Sequence, residues 1–417
     1  MRIAFITARI PFPPNAGGRI RTFHLLKEIS RIQSVTLLTA VEEQEDEGAL
    51  AALQQSIPQM RVRAVKVPAR NRPLRRLVRA LRSPIDPLPY TWAGYRHRRF
   101  LAHVRLSLHQ GEFEIIHCDH IQVAHTLLGL RTPPRVLNAQ NVESLLIRRV
   151  AKQESRGWRK ALIAWQAKKT LRAELQTFPS FDRCVAVSEI DRAIIELIAP
   201  GRPVSIVPNG VDADWFKPSC EPSNPYMMVV TGAMDWFPNI DGITFFVREV
   251  LPRIRQRVPL AELWVVGRNP SEWLMGRLGR DGVRFTGTVD DVYPYLARAR
   301  LVLVPLRIGG GTRLKILEAW AMGKAVVSTS IGAEGLPAVD GVNIVLANTP
   351  EAMAEHAVAM LEDQKAGERL GVEGRRTVEN HFAWERVADA LLQAYEETLT
   401  GAGHGAGERG WETRAHI

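Results

Sequence analysis

The stretch Val304–Thr329, VPLRIGGGTRLKILEAWAMGKAVVST, decides the fold. An apolar run from Val302 to Leu306 precedes it, and Ala325 to Val327 forms a second run, so the segment between them reads as a crossover joining two parallel strands. That reading puts Gly309, Gly310 and Gly311 at a strand's carboxyl end. Glycines there let backbone N–H groups approach an anion, and the positive end of the next helix favours negative charge. Thr312 and Leu314 complete the loop, with Arg313 and Lys315 at the helix start. Helix first turns prefer acids, so two cations at this place point to an anionic ligand. Glu318 follows Lys315 by one turn on the same face, while Leu314, Leu317 and Ala321 form the expected buried stripe.

Outward from this stretch, strands and helices alternate through both halves of the chain. Strands are expected at Ile3–Thr7, Val35–Thr39, Ile115–His117, Val136–Asn138 and Cys184–Val187, then at Met227–Thr231, Ala261–Val266, Arg284–Thr286, Leu301–Pro305 and Ala325–Ser328. Helices are expected near Ile20–Ile32, Glu47–Gln55, Arg96–His109, His120–Leu128, Glu143–Lys169 and Ile190–Ile198. This is an α/β pattern of doubly wound domains, whose ligands bind at carboxyl ends of strands. The polar, proline-rich KPSCEPSNP reads as an interdomain linker. The expected division is residues 1–207, a linker at 208–225, a second domain at 226–382, a helix at 383–400 returning to the first domain, and a flexible tail at 401–417.

The opening loop Arg9–Arg21, RIPFPPNAGGRIR, is the first half's counterpart of the glycine loop. Gly17 and Gly18 stand between the first strand and first helix, followed by Arg19 and Arg21, without the G-x-G-x-x-G spacing of a dinucleotide fold. Two such loops facing a cleft would let one domain grip an activated donor while the other shapes the acceptor side.

Composition agrees with a large enzyme: 417 residues, 46% hydrophobic, exceed what one core usually supports. Cys118, Cys184 and Cys220 show neither metal-ligand spacing nor a disulfide framework, which implies a reducing compartment. MRIAFITA is too short for a signal peptide, and no apolar run approaches a membrane helix, so a cytoplasmic location with at most peripheral membrane contact is expected. The net charge of +11 is uneven: Arg61–Arg105 carries thirteen Lys or Arg against the single acid Asp86, interleaved with Leu74, Leu77, Val78 and Leu81. That stretch suits an anionic membrane surface or a charged acceptor, with a solvated helix face as the plain alternative. A second basic stretch, Arg148–Arg172, includes Trp158 and Trp165 and suits the same face. Neither shows an aromatic stacking platform or a reading helix, which argues against nucleic acid.

PPNAGG, IIHCDH, NVES, AVSEIDR, PNGVD, GAMDWFPN, GTVDDV, Val304–Thr329 and FAWE run in order along nearly the whole chain. Together they resemble the group 1 (family 4) glycosyltransferases, retaining enzymes of the GT-B fold, and more closely the bacterial exopolysaccharide sugar transferases. GT-B implies two Rossmann-like domains. The resemblance implies a nucleotide-sugar donor held by Gly17, Gly18, Gly232, Gly309–Gly311, Thr312, Arg313, Leu314, Lys315 and Glu318, with Glu318 on the ribose. It also implies His120 at the sugar and acceptor site, beside Arg19, Asn141 and Glu143. Asn141 and Glu143 read equally as helix caps, and His117 as structural. Two departures stand out. Relatives carry a Glu-x7-Glu motif whose first Glu is Gly310 here, and GAMDWFPN lacks the Arg and Lys that many relatives place after the corresponding strand. Arg313 and Lys315 are therefore expected to supply the diphosphate's counter-charge.

Expelling a nucleoside diphosphate builds negative charge that fixed cations and backbone donors can stabilise, so no metal and no cofactor are expected. Asp212 and Asp214, the only Asp-x-Asp, read as a turn cap. The expected function is transfer of a sugar to a lipid-linked or polysaccharide acceptor. The alternatives are a nucleotide-sugar epimerase, which would need groups placed to move a proton, and a non-catalytic module that binds nucleotide sugar or membrane.

Overall fold

The computed structural model describes residues 1–42, 47–279 and 282–405, which form two compact units. Unit 1 comprises Met1–Gln140, Lys168–Val207 and the chain from Ala388 onward; unit 2 comprises Asn141–Ala167 and Pro208–Val387. Chain contacts thus group Asn141–Ala167 with unit 2 and the C-terminal helix, from Ala388 on, with unit 1.

Seven strands build unit 1: β1 (Arg2–Thr7), β2 (Ser34–Glu42), β3 (Arg61–Val67), β4 (Ile115–Cys118), β5 (Arg135–Ala139), β6 (Arg183–Ala186) and β7 (Val204–Ile206). Their order is β3-β2-β1-β4-β5-β6-β7, every pairing parallel. Phe5 of β1 lies in register with Leu37 of β2 and His117 of β4, and Ile3–Ile6 are fully buried. Helices cover both faces of such a sheet, which explains why its central strands read as unbroken apolar runs. The edge strand β3 alternates exposed and half-buried residues, with Arg61, Arg63 and Lys66 outward. The basic stretch therefore opens as a charged edge strand, a form that discourages edge-to-edge pairing. It continues as the helix Pro73–Arg82, in which no residue is buried.

Two helix expectations are corrected. Ile121–Thr126 is a short 3-10 turn rather than an α-helix over His120–Leu128. Glu143–Lys169 is interrupted: helices Glu143–Gln153 and Gly157–Thr177 are separated at Glu154, whose backbone is extended and whose carboxylate accepts the Arg156 N–H at 2.9 Å. Local side-chain bonding of this kind competes with helix continuation. The last helix, Trp384–Gly405, runs through the first residues of the expected tail; the rest of that tail lies outside the described residues. Within unit 1 its Glu397 and Thr398 receive the Arg183 guanidinium at 2.9 Å each.

Unit 2 carries β8 (Met227–Thr231), β9 (Glu262–Val266), β10 (Val283–Gly287), β11 (Leu301–Val304), β12 (Ala325–Ser328) and β13 (Val345–Leu346), in the parallel order β10-β9-β8-β11-β12-β13. β7 and β13, three and two residues long, are too short to carry a periodic signal. The first part of the expected linker is packed in this unit: Val211 bridges to Ala383, and Arg375 donates to the carbonyls of Ala213, Phe216 and Ala321. Asp212 accepts the Trp215 N–H at 2.9 Å and so caps a turn. Among the described residues no helix is long and apolar enough to cross a membrane.

Candidate active site

In unit 2, β11 ends at Val304 and the helix Leu314–Ala321 begins ten residues later, with Arg313 as its N-cap and no acid in its first turn. Ile316, Leu317, Ala319, Trp320 and Ala321 are buried, whereas Leu314, expected in that stripe, is half-buried. Burying almost the whole helix anchors its start, at roughly 1.5–3 kcal/mol for each large side chain.

The glycine loop is held from behind by arginines. Gly311 adopts φ +66, a conformation glycine takes at low cost. Arg313 Nη1 donates to the carbonyls of Gly310 and, at 3.0 Å, Gly311, and a Cβ at Gly309 would land on the Arg313 guanidinium. Arg149 donates to the Gly309 carbonyl at 2.6 Å and forks onto Glu334, 2.7 Å from its second nitrogen. Asn209 donates to the Thr312 hydroxyl at 2.7 Å. Asn141 lies by the same loop, its Oδ1 3.7 Å from where a Gly310 Cβ would stand, as does Leu146 Cβ at 3.6 Å. Asn141, read as an acceptor-side residue, thus adjoins a loop read as donor-binding.

Lys315 points elsewhere, toward the turn after β8. Its ammonium donates to Asn239 Oδ1 at 3.1 Å and would stand 2.9 Å from a Cβ at Gly232, whose φ is +143. Asn239 ties the group together by donating to the Ala233 carbonyl at 2.8 Å. Burial, reinforced by Arg313, lowers the Lys315 pKa to about 8, against the opposing pull of Glu318. Burial raises Glu318 to about 7, opposed by Lys315 and aided by Asp291. Each charge is thus under-compensated by the protein, the condition in which an anion beside Lys315 gains most.

Unit 1 assembles its residues differently. Gly17 opens the helix Gly17–Ile29 with no side-chain cap, and a Cβ at Gly18 would meet Gln140 Oε1 at 3.0 Å and His120 Nε2 at 3.4 Å. The other ring nitrogen of His120 lies 2.9 Å from Asp119 Oδ2. Asp119 is fully buried and also accepts from Thr22 (2.5 Å) and Asn138 (2.9 Å). Burial alone would raise its pKa, but His120 and His117 hold it well below the usual carboxylate range. His117 is fully buried, stacked on Phe5 and 2.8 Å from the Tyr395 hydroxyl. Arg21 is also buried, donating to Asn138 and the Val207 carbonyl, and burial lowers its pKa to about 10; Arg19 is half-buried. Glu143 stands in the first turn of its helix, whose cap is Val142.

Sequence reading passed over several of these residues. Asp119, Asn209 and Asn239 lie inside motifs already quoted, IIHCDH, PNGVD and GAMDWFPN, where flanking residues drew attention first. Arg268 immediately follows Gly267, whose backbone packs on Gly232, and brings a half-buried cation to the carboxyl end of β9. Arg149 and Glu334 are 185 residues apart, and no local signal joins them.

Family profiles agree with this architecture. Residues 225–363 match "Glycosyl transferases group 1" and residues 52–215 match "Glycosyltransferase Family 4". A phosphatidyl-myo-inositol mannosyltransferase of Mycobacterium tuberculosis is 29% identical over 233 residues, 52% of this chain and 60% of that protein. The chain thus spans about three fifths of that curated relative's length. Among solved structures, sucrose-phosphate synthase from Thermosynechococcus elongatus superposes with TM-score 0.73 at 18% identity, covering 96% of this chain and all of that one. Anabaena Alr3699/HepE, solved with UDP and glucose, superposes with TM-score 0.66 at 15% identity, covering 95% and 99%. The chain belongs to the group 1 (family 4) glycosyltransferases and has their GT-B fold.

Proposed function

We propose that the protein transfers a hexose from a nucleotide-sugar donor to a lipid-linked or glycan acceptor, with retention and without metal or cofactor, in the synthesis of exopolysaccharide or another envelope glycan. The observation that carries this reading is Lys315: an under-compensated ammonium at a helix start, aimed at the Gly232 turn, with no acid in the first turn. As the nucleoside diphosphate leaves, negative charge grows on its oxygens. A fixed cation, the N-terminal end of the helix and the glycine loop stabilise that charge more in the transition state than in the ground state. Arg313 and Arg149 hold the loop's carbonyls and so set its shape. Glu318 is assigned to the ribose, and His120, oriented by Asp119, to the sugar and acceptor with Gly18 and Arg19. The named relative, a mannosyltransferase acting on a phosphatidylinositol, supports a lipid-linked acceptor. The proposed location is the cytoplasmic face of the membrane.

Incubation with a series of labelled UDP-, GDP-, ADP- and dTDP-sugars and a lipid-linked acceptor tests the reading. Label in a glycosylated lipid with the donor's anomeric configuration supports it. Inversion removes retention, a free altered sugar indicates an epimerase, and binding without turnover indicates a non-catalytic module.

A further inference from the structure

At the carboxyl ends of β1 and β3, unit 1 gathers three arginines around two tyrosines. Arg9 follows β1 and places its guanidinium carbon 5.6 Å from the centre of the Tyr95 ring; Arg70, three residues past β3, stands 4.5 Å from the same ring. Arg79, from the helix Pro73–Arg82, lies 4.5 Å from the Tyr90 ring, with one nitrogen 3.3 Å from its hydroxyl. Arg70 and Arg79 meet at Gly94, where a Cβ would lie 2.5 Å from Arg79 Nη1 and 3.0 Å from Arg70 Cδ. All three are half-buried, and the Nε atoms of Arg9 and Arg79 are sealed from solvent with no hydrogen-bond partner among the described residues. No carboxylate forms an ion pair with any of the three among those residues; Glu42 accepts the backbone N–H of Arg70 at 3.3 Å among its contacts. Despite burial, Arg79 and Arg76 hold the Tyr90 hydroxyl below the ordinary phenol pKa.

Gathered guanidinium groups repel one another, so an ordered cluster fits an anion that offsets the repulsion. Guanidinium planes stacked on aromatic rings are already oriented for forked recognition of phosphate. The helix that supplies Arg79 leaves Leu74 73% and Leu81 72% exposed, with Leu77 between them on one stripe. A soluble phosphate needs no such stripe; a phosphate attached to hydrocarbon does. We propose that Arg9, Arg70 and Arg79, set by Tyr90 and Tyr95, bind the phosphoryl group of a lipid, with Leu74, Leu77 and Leu81 meeting its hydrocarbon. Its use in presenting an acceptor rests on the transferase reading; the binding itself does not.

The test uses the full chain, with pyrophosphate calorimetry and flotation on phosphatidylglycerol or phosphatidylcholine vesicles at low salt. Wild type is expected to show two kinds of pyrophosphate site, one lost in R70Q/R79Q and the other in K315A. R70Q/R79Q should weaken phosphatidylglycerol binding about tenfold, whereas R75Q/R82Q, which removes equal charge from the exposed helix face, should change it much less. L74Q/L81Q should weaken flotation and leave pyrophosphate binding intact. Thermal melts establish that each variant folds. Wild-type pyrophosphate binding by R70Q/R79Q, or equal vesicle loss in R75Q/R82Q, overturns the built site. An R70Q/R79Q-sensitive pyrophosphate site in a protein that ignores phosphatidylglycerol overturns its assignment to a lipid. K315A retaining both sites bears on the donor reading alone.

Discussion

Asp119 in unit 1 is surrounded by partners: two imidazoles, a threonine hydroxyl and an asparagine amide keep a fully buried carboxylate ionised. Among the described residues, Lys315 in unit 2 donates to the neutral Asn239, and its pKa is lowered. The first charge is compensated by the protein and belongs to its architecture. The second is only partly compensated, as the proposed binding of an anionic donor would require. Buried charge is stable when its partners are built in, and useful for binding when one partner is left to arrive.

Breaking the compensated side should have the largest effect. Asp119→Ala removes the shared partner of Thr22, Asn138 and both histidines, and is expected to destabilise the protein by about 3–5 kcal/mol, because it leaves buried polar groups unmatched. Urea unfolding checks this; a loss below about 1 kcal/mol would place Asp119 outside the architecture.

On the other side the sign reverses. Lys315→Ala should leave stability unchanged or slightly raised while weakening nucleoside diphosphate binding by about 1.5–3 kcal/mol. Arg313→Ala should weaken binding as well, through loss of loop geometry in addition to charge. Calorimetry together with unfolding separates the two; wild-type affinity in both variants would remove the anion site from unit 2.

The contrast also sharpens with pH. Lys315 is lowered to about 8, so it loses its proton as pH rises through that value, and a bound anion holds the proton longer. Diphosphate affinity should fall by up to about tenfold per pH unit above 8. Glu318, raised to about 7, is neutral below that pH, so contacts that need its carboxylate fade on the acid side. Stability moves the other way in each window. The unfolded lysine holds its proton more tightly than the folded one, so the cost of Lys315's burial falls as pH rises from about 8 to 10.5. The folded Glu318 holds its proton more tightly than the unfolded one, so stability falls as pH rises from about 4.5 to 7. Affinity measured from pH 6 to 9.5 should peak between 7 and 8; a flat profile would detach both groups from donor binding.

The smallest expected effect is from metal removal. If Lys315, the helix start and the glycine loop supply the counter-charge, turnover should survive exhaustive EDTA treatment within about twofold. Strict dependence on added Mg²⁺ or Mn²⁺ would overturn the charge assignment.

The sequence by itself determined the class of fold and singled out the unit 2 loop on which the donor site is proposed. Unbroken apolar runs such as Val302–Val304 and Ala325–Val327, set in an alternating pattern between turn signals, read as strands buried on both faces, and Arg313 and Lys315 stand out by departing from the usual helix-start preference. Both signals are local, so one chain suffices to read them. The short strands β7 and β13 and the charged edge β3 were not legible, because two or three residues carry no period and β3 interleaves its apolar residues with charges. Only the tertiary structure decided which charges are compensated. It set Thr22, Asn138 and Asp119 in one hydrogen-bonded group, carried Arg149 to Gly309 and Glu334, and turned Lys315 toward Asn239 while folding Arg313 onto its own loop. Those partners are far apart along the chain, and the energy of a charge depends on what surrounds it in space, not on its neighbours in sequence.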